Sequence, residues 1–142
     1  MTPLEARFLE WETKRACGSC TGCCFVFEVP GVTQAYEWCQ HCSIGVGCRI
    51  YQDRPQDCAS FYCLWRMGFG EEEDRPDRHG VVMDLQVEGT DAVIRVWRPK
   101  QLQVRKLMSA ARMLGEVSEV LRHDGYTVRS ESHGPRRGTC QQ

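Results

Sequence analysis

The chain has 142 residues, 42% of them hydrophobic, and carries a formal net charge of −1. That length suits a single compact domain over 1–142 with a modest core. No apolar run approaches the length of a membrane span, so neither a helical membrane protein nor a membrane partner is expected. The opening Met1-Thr2-Pro3-Leu4-Glu5-Ala6-Arg7 is charged and lacks an apolar secretory segment. A cytoplasmic setting, in which thiols stay reduced, is the expectation.

Taken in chain order, Leu4 to Ala16 is expected to be helical, since Pro3 suits a first turn and Leu4, Phe8, Leu9 and Trp11 recur at helical spacing. Phe25-Val26-Phe27-Glu28-Val29 has strand-forming residues and is stopped by Pro30-Gly31. Thr33 to Trp38 suggests one helical turn. A second helix is predicted from Pro55, carrying Cys58, Phe61, Tyr62 and Trp65 until Gly68 and Gly70 break it. The charged run Glu71 to Arg78 is expected to be a solvated, mobile connector.

Beyond it, Val81 to Val87 and Asp91 to Trp97 flank Glu88-Gly89-Thr90 and predict a β-hairpin. Gln101 to His123 is the longest predicted helix. Val104, Leu107, Met108, Ala111, Leu114 and Leu121 form its apolar side, and Asp124-Gly125 is its stop. Tyr126 to Arg129 suggests a last strand, with a polar tail from Ser130, flexible over 131–142. The expected fold class is α+β: a cysteine-rich N-terminal half packed on a hairpin, long helix and strand layer over 80–130.

Charge is unevenly spread. Residues 1–94 hold 8 Lys/Arg against 15 Asp/Glu, and residues 95–142 hold 10 against 4. The stretch 95–112 contains Arg95, Arg98, Lys100, Arg105, Lys106 and Arg112 and no acid. It can offer a face to a protein partner, or be a solvated face that complements the acidic half of the same chain, the preferred reading. Nucleic acid is not an expected partner, because no aromatic-rich binding motif accompanies the charge.

The most informative stretch is the cysteine cluster. Nine of the ten cysteines lie within residues 17 to 63: Cys17, Cys20, Cys23, Cys24, Cys39, Cys42, Cys48, Cys58 and Cys63. Cys17/Cys20, Cys20/Cys23 and Cys39/Cys42 have the Cys-x-x-Cys spacing that lets a curled backbone point two sulfurs at one centre. Gly18, Ser19, Thr21 and Gly22 are small enough for backbone N–H groups to reach those sulfurs. The set predicts a bound metal, either an iron–sulfur cluster of the [4Fe–4S] kind or Zn2+, with the iron–sulfur reading slightly preferred; a disulfide scaffold is the minor alternative and would need an export route.

A zinc ion or one cubane needs four protein ligands, so nine sulfurs exceed one centre. Cys23 and Cys24 are adjacent and tend to diverge, so either they serve different centres or one of them is simply a buried small hydrophobe. His41 is either a metal ligand, a donor to the sulfurs or, preferably, a partly exposed histidine. Cys140 is read as a non-ligand thiol. Phe25, Phe27, Trp38, Tyr51, Phe61, Tyr62 and Trp65 interleave with the cysteines and can form a dry shell or ordinary core. Asp53, Asp57 and His79 are read as surface residues, and no catalytic set is identified, which leaves a metal-dependent enzyme or a metal-delivery protein as secondary readings.

Cys17-x-x-Cys20-x-x-Cys23-Cys24, followed by Gly47-Cys48-Arg49-Ile50-Tyr51-Gln52-Asp53-Arg54-Pro55-Gln56-Asp57-Cys58 and Phe61-Tyr62-Cys63, resembles the YkgJ-like cysteine-cluster proteins. These are described as zinc- or iron-chelating domains, and the match spans 17–66. The resemblance implies a metal site built from Cys17, Cys20, Cys23, Cys24, Cys48, Cys58 and Cys63, without implying a reaction. Within the motif, Pro55 is expected to set a helix entrance that aims Cys58. Arg54 is expected to bond loop carbonyls or offset thiolate charge.

Overall fold

The computed structural model describes residues 3–11, 15–17, 19–26, 28–34, 36–59, 63–98 and 104–133. The expectations for Phe27, Phe61, Tyr62, Lys100 and Cys140 lie outside these residues, as do the side chains of Phe25, Asp57, Val104 and Arg105.

The fold is α+β, and its centre is a three-stranded sheet. Strands β3 (Val82–Glu88) and β4 (Asp91–Trp97) form the hairpin that the alternating pattern predicts, with Val82 opposite Trp97 and Glu88 opposite Asp91. Strand β5 (Thr127–His133) runs parallel to β4 on its other side, giving the order β3-β4-β5. It continues to His133, past the predicted end at Arg129; Trp97 and His133 stack at 4.3 Å where the pairing closes.

Helix α5 (Val104–His123) makes the crossover between β4 and β5. Its buried stripe is Ala110, Met113, Val117 and Leu121. Leu107 and Met108, expected in the core, are 48% and 70% exposed, and Ala111 is exposed. Both sets have helical spacing, and the position of the sheet selects between them. The stripe meets the β4 face built by Ala92, Ile94 and Val96, each buried in strict alternation.

On the opposite face of the sheet Asp84 lies directly across from Arg95. The Arg95 guanidinium donates two bonds to the buried Asp84 carboxylate, and Trp97 Nε1 donates a third at 3.1 Å. Arg95 is therefore paired with an acid from the acidic half of the chain.

The N-terminal half has less regular structure. It holds α1 (Pro3–Trp11), α2 (Gly22–Val26), a two-stranded hairpin of β1 (Cys42–Ser43) and β2 (Gly47–Cys48), a 3-10 turn at Tyr51–Asp53, and α3 (Gln56–Ala59). A further 3-10 turn (Glu72–Asp74) and α4 (Pro76–His79) follow. No helix among the described residues is long and apolar enough to cross a membrane.

Several expectations for this half are corrected. The first helix is described over Pro3–Trp11, and Arg15 and Ala16 are not helical. Arg15 instead forks onto the carbonyls of Trp65, Phe69 and Gly70 at 2.7, 2.8 and 2.9 Å. In place of the strand predicted at 25–29, residues 25 and 26 belong to α2, and the strand pairing among the described residues there is the bridge of Val29 to Thr33. The turn predicted over Thr33–Trp38 is not helical at its described residues; Tyr36 sits at φ 61. The helix predicted from Pro55 runs as α3 over Gln56–Ala59, and Cys63 to Phe69 is a folded loop that buries Leu64, Trp65 and Phe69.

The run from Glu71 to Arg78 is ordered rather than a mobile connector. Glu71 N–H donates to the Asp74 carboxylate at 2.8 Å, and Asp74 is 2% exposed. Gly70, at φ +77, leaves no room for a Cβ, which would stand 2.8 Å from that carboxylate. Arg112 of α5 reaches Asp74 at 3.4 Å, and His79 Nε2 faces it at 3.8 Å. His79, read from sequence as a surface residue, is 3% exposed.

Burial lowers the His79 pKa below its ordinary value, with Arg112 and Lys106 acting in the same direction; Asp74 and the Ser109 backbone oppose them. The folded state thus favours neutral imidazole. The associated stability is complete above the unfolded value of about 6.5 and is lost as pH falls from there toward the folded value. Urea midpoints should decline as pH falls below about 7, and His79→Leu should flatten that decline whatever its own stability. Parallel slopes for the two proteins would contradict the assignment.

Candidate metal centre

The cysteines reach one place through a few short backbone devices. Cys20 N–H bonds the Cys17 carbonyl at 2.8 Å and Cys42 N–H bonds the Cys39 carbonyl at 3.0 Å, so two of the three Cys-x-x-Cys pairs close the same kind of turn. Helix α2 carries Cys23 and Cys24, and the Cys24 carbonyl accepts from Cys39 N–H at 3.2 Å, joining that helix to the Cys39/Cys42 turn. Cys42 and Cys48 are cross-strand partners in the β1–β2 hairpin, which places them side by side. At α3, Cys58 N–H bonds the Pro55 carbonyl at 3.0 Å, the helix entrance that the motif implies.

Every cysteine from Cys17 to Cys58 lines a single cavity of about 390 Å³. Cys63 does not: it is 7% exposed and lies outside that lining. Cys23 and Cys24, expected to diverge, line the same cavity and are hydrogen-bonded to each other. All nine are free thiols. Among the described residues, no group of three or more Cys, His, Asp or Glu side chains stands in a geometry ready to hold a metal ion.

Crowding sets the electrostatics. Burial pushes Cys20 up to about 11, and burial with the neighbouring charges of Cys24 and Cys39 pushes Cys42 up to about 12. Cys24 is raised further, by its hydrogen bond with Cys23 first and by burial next. Cys58 is raised by burial and by Cys24, Cys39 and Cys48. Each thiolate would face an apolar wall and other sulfur charges, so the protein alone holds these groups protonated at neutral pH.

Donors aimed at the sulfurs act the other way. The backbone N–H groups of Gly22 and Asp77 bond Cys20, the Thr21 hydroxyl bonds Cys42, and His41 N–H reaches Cys39 Sγ at 3.5 Å. The Arg54 charge lowers Cys58, while its Nε donates to the Tyr51 carbonyl at 2.9 Å and its plane stacks 3.9 Å from the Tyr51 ring. Both roles expected of Arg54 are present. His41 is half-buried and lines the cavity. Tyr51 also lines it and is 46% exposed, Trp38 is 41% exposed, and Trp65 is buried core. A cavity lined by soft sulfurs and bordered by N–H and O–H donors fits a thiophilic metal or an iron–sulfur cluster by the chemistry of its donors.

Two contributors had no clear signal in the sequence. Thr21 was legible only as a small spacer, yet it is 3% exposed and its Oγ1 accepts Gly45 N–H at 3.1 Å while its hydroxyl bonds Cys42. Asp77, inside a run of charge, bonds the Cys20 thiol. Comparison of the chain with protein-family models, curated proteins and solved structures finds no match to any of them.

Thr21→Val keeps the shape and removes both bonds. It should cost about 1–3 kcal/mol, the usual loss when a buried hydrogen-bonding partner is removed, whereas Thr21→Ser should recover most of it. Denaturant titration of the three proteins checks this, and equal stability of the valine variant would contradict the linking role.

Proposed function

We propose that the chain is a metal-binding protein whose clustered cysteines hold an iron–sulfur cluster of the [4Fe–4S] kind or Zn2+. The role is structural, extending to redox chemistry if the metal is iron. The observation that supports this most directly is the convergence of Cys17, Cys20, Cys23, Cys24, Cys39, Cys42, Cys48 and Cys58 on one cavity from separate parts of the chain. Its volume far exceeds the roughly 30 Å³ share of one water molecule, which leaves room for a polynuclear centre. The resemblance to YkgJ-like cysteine-cluster proteins in the Cys48–Cys58 motif points to the same chemistry. A reducing compartment such as the cytoplasm keeps the thiols available.

A bound cation supplies the positive charge that the crowded sulfurs lack, and binding releases their protons to solvent. Arg54, Thr21 and the N–H groups of Gly22 and His41 then orient the sulfurs and spread their charge. A second reading, delivery of the metal to a protein partner, is favoured by Ile44 and Val46. These stand 59% and 71% exposed at the tip of the β1–β2 hairpin. Fast metal transfer to a chelator favours delivery, and tight retention favours a fixed site.

Anaerobically prepared protein should contain iron with acid-labile sulfide, or zinc, in near-stoichiometric amount. Folded protein empty of both would contradict the reading. Removing the metal should unfold the cysteine half, seen as lost circular dichroism and a lower melting temperature; unchanged melting would contradict the structural role. Arg54→Ala, which removes no sulfur, should weaken metal retention by roughly tenfold in chelator competition, and unchanged retention would rule out its part.

A further inference from the structure

Strand β5 forms one border of the sheet. Its residues Thr127 to His133 pair with β4 along their whole length, and no strand among the described residues pairs with the other side of β5. Two bonds at the ends of this ladder fix which backbone groups face which way. Thr127 N–H donates to the Thr90 carbonyl at 2.8 Å, and the His133 carbonyl accepts Arg98 N–H at 2.8 Å. Along a strand, alternate residues turn their N–H and C=O to the same side, so Thr127, Arg129, Glu131 and His133 are committed to β4. Val128, Ser130 and Ser132 therefore present their N–H and C=O groups outward, a row open to pairing with another chain. Lysine, proline or a bulge commonly blunts such an edge. β5 contains neither lysine nor proline, and its register with β4 is unbroken.

The side chains on β5 narrow what can pair there. An antiparallel newcomer must set its own outward residues opposite Val128, Ser130 and Ser132, because such pairs exchange both of their N–H···O bonds. For a second copy of β5 related by a two-fold axis, the axis then falls beside Arg129, Ser130 or Glu131 if most of the strand is to be used. An axis at Arg129 sets arginine against arginine, and an axis at Glu131 sets glutamate against glutamate, and both repel. An axis at Ser130 uses the whole strand. Ser130 meets its own copy and Val128 meets Ser132 in hydrogen-bonded positions. Arg129 of each copy meets Glu131 of the other in the closer positions between them.

Both charged side chains are accessible for this. Arg129 and Glu131 bridge along the strand within one chain, with side chains 66% and 37% exposed, and His133 Nε2 faces Glu131 at 3.4 Å. Pairing at Ser130 turns two separate bridges into a ring of four alternating charges. Ser130 and Ser132 are small and exposed, so they put no bulk in the way.

We propose that the chain forms a two-fold dimer in which β5 pairs antiparallel with β5 of a second copy about Ser130, joining the two sheets into one. The main-chain bonds supply the affinity and the alternation of Arg129 and Glu131 selects the register. This assignment is independent of what the cysteines hold.

Sedimentation equilibrium of the reduced, anaerobic full chain tests it, the reductant preventing disulfide-linked association. Wild type should sediment as a dimer in reversible exchange with monomer. Ser130→Pro removes one outward N–H while sparing every bond to β4, and should be monomeric with unchanged far-ultraviolet circular dichroism. Arg129→Glu and Glu131→Arg should each raise the dimer Kd at least about tenfold, since each sets like charges opposite each other twice. The double variant, with the two charges exchanged, should recover wild-type association. A wild type that is monomeric at every concentration measured would overturn the assignment, as would a dimer that Ser130→Pro and both single reversals leave intact. Should Ser130→Pro lose its fold, the charge set decides alone, and an exchanged double variant that stays monomeric overturns the register.

Discussion

Sulfur crowding is the constraint around which the N-terminal half is organised. Eight thiols from separate segments share the wall of one cavity, and burial together with their neighbours' charge raises the pKa values of Cys20, Cys24, Cys42 and Cys58. An arrangement of this kind is a poor hydrophobic core, because most of its side chains are small and half-buried. It becomes favourable when a cation neutralises the sulfurs, and the free energy of coordination then contributes to folding. On our reading this is why the half contains so little regular structure: short turns and two-residue strands suffice to aim sulfurs at a centre.

A half with few aliphatic residues still has to be fixed to the sheet, and polar side chains do this by capturing backbone carbonyls. Arg15 collects three carbonyls from the Trp65–Gly70 loop and lies over the Trp65 ring. Arg7 donates to the Gly68 carbonyl and stacks over Phe69 at 4.0 Å. Loop carbonyls are thereby bonded by charged donors, which are stronger than neutral ones. The same loop buries Leu64 and Phe69 completely, so it joins the arginine clamps on one side to the core on the other. Arg95, paired with Asp84 on the sheet, extends the connection to the cavity wall.

How far the sequence revealed this architecture depended on how local each cause was. The β3–β4 hairpin and α5 were legible because alternation, helical spacing and the Glu88-Gly89-Thr90 and Asp124-Gly125 signals act over neighbouring residues. The strand expected at 25–29 had the right residue types, but a strand exists only with a partner, which those residues do not reveal. Asp74 looked like one more solvated acid; its burial depends on Arg112, 38 positions away, and on His79. The exposed Leu107 and Met108 show the same limit, since helical spacing allowed two apolar faces and the position of the sheet chose the other. At the site, the sulfurs were legible from spacing, whereas Thr21 and Asp77 act through Gly45, Cys42 and Cys20, partners that only the folded chain brings close.

The most direct test of the central claim, that these sulfurs coordinate metal, is X-ray absorption at the iron and zinc edges of anaerobically prepared protein. The account predicts a shell dominated by sulfur at about 2.3 Å. A shell made only of nitrogen and oxygen, or no edge from either metal in folded protein, would contradict it.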